Sequence, residues 1–438
     1  MNARMNARIV CALMMVASMS SVNAQERSPS WQLTPLYTFL GQADGALPNG
    51  VILDPANNLY GTTFQGGIYC GGIGCGVAFK IDGRGHETLL HTFGAGSDGA
   101  FPQAGLLRDS SGVLYGTAYE GGTNGAGTLF KLTPRPTACA SVLCPWNETI
   151  LHNFGFSGDG SNPVSALIQD NNGNVYGTAT GEGLDFGTVF KLDPEEYETL
   201  YSFTGPPADG AGPFSPLLLD ANGNLYGTTS SGGSSSACQG GCGAVFKLTP
   251  NGSAWTETVL YSFSGGADGG TPYADLVADQ HGNLYGTTFN GGGSCNCGVV
   301  FELSRNQDGS WTESVLWTFT GGSDGGWPFS GMIIDSQGNL YSTTTAGGLA
   351  GGCSATGYEP GCGTVFKMSP NGSGWTESVL WTFSGGSDGS YPLGPVVMDE
   401  QGNLYGAAYF GGDLNATNPA CAPSGSPVGC GVVFKLTP

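Results

Sequence analysis

Positive charge is the scarcest thing in this sequence. Of 438 residues, 13 are lysine or arginine and 4 are histidine, against 34 aspartates and glutamates, and the formal net charge is −21. A chain this acidic repels phosphate backbones and anionic headgroups, which argues against nucleic-acid binding and against peripheral membrane binding. Catalytic signatures are missing too: no Gly-x-Ser-x-Gly elbow, no His-Glu-x-x-His helix and no phosphate-binding loop occur. The four histidines, His86, His91, His152 and His281, fall at unrelated repeat positions. Long apolar runs are also absent. The one candidate, Ile9 to Met19, is shorter than the roughly 20 residues a spanning helix needs. No transmembrane segment is expected.

That short run has the makings of an export signal. Arg4 and Arg8 precede it, and Val22-Asn23-Ala24 follows as a small-x-small cleavage site. Cys11 lies within it without a lipobox. The expected organisation is therefore a signal peptide over 1–24, a short segment over 25–30 and a single domain over 31–438. The mature protein is expected to be a soluble monomer, extracellular or periplasmic, and even more acidic once Arg4 and Arg8 are removed.

Glycine is what the chain has in excess, 78 residues, alongside 11% aromatics. Without a collagen period, that combination points to many short strands joined by tight turns. Internal repetition confirms the pattern. Variants of Gly-Asn-Leu-Tyr-Gly-Thr-Thr recur with Tyr60, Tyr115, Tyr176, Tyr226, Tyr285, Tyr341 and Tyr405, each six residues after an aspartate: Asp54, Asp109, Asp170, Asp220, Asp279, Asp335 and Asp399. A second strand carries Phe79, Phe130, Phe190, Phe246, Phe301, Phe366 and Phe434, and a third carries Phe39, Phe93, Phe154, Phe203, Phe263, Phe319 and Phe383.

Each repeat of about 58 residues thus divides into four strands, the size of a propeller blade. Strand A ends at the aspartate (Pro395 to Asp399 in the last repeat), strand B is Leu404 to Tyr409, strand C is Val432 to Leu436, and strand D is typified by Glu377 to Phe383. The chain opens with a lone D-type strand, Leu33 to Phe39, and ends on a C-type strand without its D partner. Ring closure needs one orphan at each end. The expected fold is therefore all-β: a seven-bladed β-propeller of four-stranded antiparallel blades, closed by the N-terminal strand pairing into the last blade. A parallel β-helix or another stacked-sheet array is the alternative. The ring aromatics are expected to pack between blades. The lysines of strand C (Lys80, Lys131, Lys191, Lys247, Lys367 and Lys435, with Glu302 in the fifth repeat) are expected to face solvent.

The Gly-Asn-Leu-Tyr-Gly-Thr-Thr strand, the Gly-Gly before strand C and the Val-Phe-Lys-Leu strand resemble the GloVer tandem repeat of bacterial surface proteins, from about Trp31 to Pro438. The resemblance implies an exported bacterial repeat protein. It brings no assigned activity and no catalytic residues. Members of the family often end in an anchoring or sorting segment; this chain departs from that pattern, stopping at Phe434-Lys435-Leu436-Thr437-Pro438, which leaves surface attachment open.

Twelve cysteines follow the signal, in close pairs: Cys70 and Cys75, Cys139 and Cys144, Cys238 and Cys242, Cys295 and Cys297, Cys353 and Cys362, Cys421 and Cys430. In an exported chain this is a disulfide pattern. Five pairs lie between strands B and C, with the second cysteine directly before the glycine that opens strand C. Zinc is the rival reading, but the pairs belong to different blades. Cys295 and Cys297, one residue apart, make the most strained bridge.

Loop lengths distinguish the two faces. The step from strand-A Asp to strand-B Tyr is always six residues, whereas the B–C connection spans 19, 15, 14, 20, 16, 25 and 29 from Tyr to Phe. The B–C and D–A loops share one face of an antiparallel blade, and variable loops on a rigid scaffold are where binding sites evolve. Each D–A loop there also carries an Asp-Gly turn, with Asp44, Asp98, Asp159, Asp209, Asp268, Asp324 and Asp388, each four residues before a proline. Seven carboxylates near a channel mouth would bind Ca²⁺ or a polyhydroxylated ligand. The alternative is that each aspartate caps its own turn. Two functions stand open on this reading. One is a non-enzymatic module binding a glycan or protein through the B–C/D–A face. The other is a carbohydrate-active hydrolase or lyase using loop acids such as Glu120, Glu182 and Asp185.

Overall fold

A computed structural model describes residues 30–135, 146–155, 158–181, 185–194, 196–348, 353, 361–414, 419–421 and 428–438. The expected signal peptide, Cys139, Cys144 and Glu182 lie outside them.

Each blade is built on one capped turn. Asp54 Oδ1 accepts the amides of Ala56 and Asn58 at 2.9 and 2.8 Å, while Oδ2 accepts Asn58 Nδ2 at 2.8 Å and the Tyr60 hydroxyl at 3.1 Å. The same four-bond pattern recurs at Asp170, Asp220, Asp279, Asp335 and Asp399. An aspartate that satisfies its own turn amides fixes the A–B hairpin locally. The tyrosine then ties strand B back to the turn. Burial alone would raise the Asp54 carboxyl, but these hydrogen bonds hold it below the usual range. Val113 replaces the asparagine in the second repeat, and there the Tyr115 hydroxyl stretches to 3.5 Å.

The strands assemble into seven four-stranded antiparallel sheets, over 46–92 (blade 1), 107–153 (blade 2), 168–202 (blade 3), 218–262 (blade 4), 277–318 (blade 5), 333–382 (blade 6) and 397–437 with 32–38 (blade 7). In blade 4 the order is Leu218–Leu219, Leu225–Thr229, Ala244–Asn251 and Ala254–Ser262 as strands A to D. Closure is as expected. The N-terminal strand Gln32–Thr38 pairs antiparallel with Val432–Thr437, Leu33 opposite Leu436 and Thr38 opposite Val432. Strand A is shorter than expected, two residues in blades 2 to 7 (Val397–Met398 in blade 7). The chain leading into it turns through a left-handed residue just before the conserved-position proline, such as Phe101, Thr271 and Tyr391 at φ 55°, 54° and 54°. That conformation is unfavourable before proline, and a cross-blade bond holds it: Thr271 donates its amide to the Cys242 carbonyl at 2.8 Å, and Phe101 does the same to Cys75 at 2.8 Å.

Packing between blades is aromatic, as expected. Each D-strand phenylalanine meets the C-strand phenylalanine of the next blade edge-to-face, from Phe93–Phe130 at 5.1 Å to Phe154–Phe190 at 5.4 Å. Phe39 on the closing strand makes the seventh such contact, 5.2 Å from Phe79 of blade 1. The glycine of the strand-B motif makes room for this layer: a Cβ at Gly227 would lie 2.6 Å from Phe246 Cζ.

Candidate functional site

The seven Asp-Gly aspartates belong to the D–A loops, and each is committed to its own loop. Every carboxylate accepts the amide of the residue that follows the D-strand phenylalanine: Leu40 to Asp44 at 2.8 Å, Gly94 to Asp98 at 2.5 Å, Gly155 to Asp159 at 3.2 Å, Thr204 to Asp209 at 2.7 Å, Ser264 to Asp268 at 2.7 Å, Thr320 to Asp324 at 2.9 Å and Ser384 to Asp388 at 2.9 Å. Six of them also accept from a D-strand side chain two residues before that phenylalanine: Tyr37, His91, His152, Tyr201, Tyr261 or Trp381. Strand D is outermost, so these aspartates sit toward the rim, and none of them lines the central cavity. Calcium needs six to eight oxygen ligands, and capped, separated carboxylates do not supply that set.

A second carboxyl, absent from the sequence expectations, faces most of these aspartates. Strand D carries Glu87, Glu148, Glu257, Glu313 and Glu377 six residues before its phenylalanine, and in each one Oε1 is buried without a hydrogen bond. Burial first, and then the charge of Asp44, Asp209, Asp268 or Asp324, pushes Glu87, Glu257, Glu313 and Glu377 up to about 7. Glu148 is raised in the same direction by burial and by its contact with Asp98. Tyr197 takes this place in blade 3, stacked on His152 at 3.6 Å and donating its hydroxyl to the Asp159 carbonyl at 2.7 Å. The recurring Glu-Thr or Glu-Ser was a readable signal that the aromatic marks overshadowed. His91, Asp98 and Glu148 form the one group of three metal-type ligands among the described residues, all within 4.8 Å. His91 Nε2 lies 3.1 Å from Asp98 Oδ1 and 3.6 Å from Glu148 Oε1, so the imidazole sits between the two carboxyls.

The B–C loops are cross-linked as the spacing suggested. Cys70–Cys75, Cys238–Cys242, Cys295–Cys297, Cys353–Cys362 and Cys421–Cys430 are bridged. The second cysteine of each bridge is buried. In each of them it also supplies the carbonyl that receives the next blade's left-handed residue, so the bridge braces an inter-blade bond. Of the loop acids proposed for hydrolysis, Glu182 lies outside the described residues, and the other two are placed as follows. Asp185 Oδ1 accepts the Gly187 amide of its own loop at 3.0 Å, and Glu120 pairs through its backbone with Ala100. The strand-C lysines are half-buried rather than solvent-facing: Lys80 and Lys435 lie over the Tyr60 and Tyr405 rings, 5.6 and 5.4 Å from their centroids, because those rings offer a π face one strand away.

At the centre, the residues entering strand A enclose a cavity of about 300 Å³. The position four before each strand-A aspartate lines it in all seven blades, as Gly50, Gly105, Ala166, Pro216, Asp275, Gly331 and Pro395. Six of these carry no functional group. Asp275 alone does, and its carboxyl occupies the space a Cβ at Gly331 would take. Part-buried in the wall, it is raised by desolvation to about 7. Beside it Tyr273 lies 4.8 Å from Phe329 and 5.2 Å from Phe214, ring centre to ring centre.

A family model described as the Gloeobacter/Verrucomicrobia repeat matches residues 25–183 and 145–355. The chain belongs to this repeat family. No curated protein matches the sequence. Among solved structures, a fungal alcohol oxidase of the AA5 family, described in complex with copper, is similar over 93% of this chain and 76% of its own, at 10% identity and TM-score 0.54. A gluconolactonase from Xanthomonas campestris matches 71% of this chain and 86% of its own (14% identity, TM-score 0.39). PorZ, a surface component of the type-IX secretion system of Porphyromonas gingivalis, matches 83% of this chain and 48% of its own (13% identity, TM-score 0.41). At these identities the oxidase likeness speaks to the fold alone.

Against the Gloeobacter/Verrucomicrobia repeat, the informative positions are departures from it. Asp275 is one. The other is a set of exposed apolar side chains. Of the six large hydrophobics exposed among the described residues, Leu40 (50%) lies in the D–A loop from blade 7 to blade 1, Ile68 (68%), Tyr69 (48%) and Ile73 (39%) in the B–C loop of blade 1, and Leu414 (46%) in the B–C loop of blade 7. No helix among the described residues is long and apolar enough to cross a membrane.

Proposed function

We propose that this repeat protein is an exported, non-enzymatic binding module that docks a protein partner on its D–A/B–C face, at the seam between blades 7 and 1. The observation that carries the reading is the distribution of exposed apolar side chains: Leu40, Ile68, Tyr69, Ile73 and Leu414, five of the six large hydrophobics exposed among the described residues, all belong to the D–A and B–C loops of blades 7 and 1. Contiguous exposed apolar surface marks an interaction site. Aliphatic side chains at its centre favour a protein surface over a glycan, whose hydroxyls would need polar partners there. Loops that vary in length, cross-linked on a constant frame, fit the same role. Export is supported by Arg4, Arg8, the Ile9–Met19 run and Val22-Asn23-Ala24, and disulfides are consistent with it.

The test is binding of the oxidised, labelled protein to the surface and secreted material of its own cells, beside Ile68→Glu and Ile73→Glu variants. Protease-sensitive binding that both variants lose, at unchanged melting temperature, supports the reading. Binding that survives protease but disappears with glycosidase treatment replaces it with a glycan-binding function. Binding untouched by both substitutions moves the site off the seam.

A further inference from the structure

Seven-fold repetition makes the central cavity a natural control on itself. Six blades place glycine, alanine or proline at the lining position four before the strand-A aspartate, and blade 5 places Asp275 there. A lone carboxylate in an apolar wall is costly unless something compensates its charge. No lysine, arginine or histidine lines the cavity to do so.

Of the amide and hydroxyl side chains lining the cavity, Asn49, Gln103, Tyr273, Ser330 and Tyr409, two are visibly held within the wall. Asn49 donates to Thr62 Oγ1 and to the Pro102 carbonyl at 3.0 and 2.7 Å, and Ser330 bonds the hydroxyls of Ser342 and Thr343 at 3.0 and 2.8 Å. Blade 5 and the blades on either side of it contribute π surface to the same cavity. Phe214, Tyr273 and Phe329, all half-buried, meet in a chain of rings at 5.2 and 4.8 Å, and Phe289 extends it at 5.6 Å from Tyr273. A carboxylate and aromatic rings sharing a space of about 300 Å³, roughly twice a ~150 Å³ cavity that admits benzene, have the recognition chemistry of a compact cation with an apolar skin. A sugar of this size would leave most of its hydroxyls unpaired against these walls.

We infer that the central cavity binds a small organic cation, an alkyl- or quaternary ammonium compound, held between the Phe214–Tyr273–Phe329 wall and the Asp275 carboxylate. The ammonium compensates the carboxylate while its methyl or methylene groups cover the rings. The acidic surface raises the local concentration of such cations. Asp275 must be ionised for this pairing, so affinity falls as pH drops below about 7. The other ionisable groups facing the cavity are the phenols of Tyr273, which burial raises above its ordinary value, and Tyr409. The inference uses the loop-bearing face of the proposed binding module but does not depend on the seam.

The experiment is calorimetric titration of the oxidised protein at pH 8 with choline and with its neutral carbon isostere, 3,3-dimethylbutan-1-ol. Choline is expected to bind at least tenfold more tightly than the alcohol. Asp275→Asn, nearly isosteric and uncharged, should remove that preference without lowering the melting temperature. Phe329→Leu should weaken choline more than the alcohol. Equal binding of the two probes, binding of neither at millimolar concentration, or a preference that persists in Asp275→Asn overturns the inference. Ile73→Glu run in parallel separates the two ideas: choline binding should survive it, and failure of choline with seam binding intact overturns the cavity site alone.

Discussion

Raising the pH from 5 to 8 should destabilise this protein, because its blades are joined by carboxyl pairs that hold a proton only when folded. Glu87, Glu257, Glu313 and Glu377 are pushed up to about 7 from an ordinary value of 4.5. Between those two values the folded state keeps protons that the unfolded chain has released. Stability from these groups is therefore complete below about pH 4.5 and lost as pH rises through about 7. At roughly 1.4 kcal/mol per pH unit, a fully buried group would contribute about 3 kcal/mol; half-exposure and screening reduce this to about 1 kcal/mol each. Four groups then give about 4 kcal/mol. Unfolding entropy of about 2 cal/mol/K per residue over some 400 residues converts this to a loss of about 5 °C in melting temperature.

Glu148 and Asp275 shift in the same direction. His152, held below its ordinary value mainly by burial, opposes them with one group. The lowered turn aspartates such as Asp54 and Asp220 lose their contribution only as pH falls below about 4, which places the optimum near pH 5. The assay is a melting series at pH 5, 6, 7 and 8 at constant ionic strength. Glu→Gln at residues 87, 257, 313 and 377 should flatten the profile, since the amide mimics the protonated acid. The same change at the exposed Glu120, Glu196, Glu198 and Glu400 should leave it intact. A wild-type melting temperature equal or higher at pH 8 than at pH 5 would refute the reasoning.

Phe39→Ala removes the aromatic contact that seals the ring and should cost about 3–5 kcal/mol, read as a shift in chemical denaturation midpoint. Reduction of the disulfides should lower the melting temperature modestly and without loss of β-sheet circular dichroism, since each short loop contributes at most about 2 kcal/mol. Tyr226→Phe should cost about 1 kcal/mol through its bond to Asp220, and Tyr115→Phe less, because that bond is stretched to 3.5 Å. Amino-terminal sequencing of the protein recovered outside the cytoplasm should begin at Gln25; a start at Met1 would remove the export reading.

Repetition is what made the fold legible. A capped Asp, a Tyr six residues on and two Phe positions recur seven times, so the blades, their order and the closing strand could be read without coordinates. Repetition also misled. The Asp44 to Asp388 series looked like a ring at a channel mouth because it is regular, yet regularity follows from each carboxylate capping its own loop beneath the outermost strand. The strand-D glutamates were equally regular and equally structural, but their meaning depends on which residue of the neighbouring blade they meet, a cross-blade distance that a single repeat does not encode. Asp275 shows the converse. Its departure from Gly, Gly, Ala, Pro, Gly and Pro was visible in the sequence all along. It carried no weight until the fold showed that this position, in every blade, faces the axis. In a closed ring of repeats, common residues are occupied by holding the ring together; recognition needs an asymmetric group, and it has to be sought where one blade breaks the pattern on a surface that the others share.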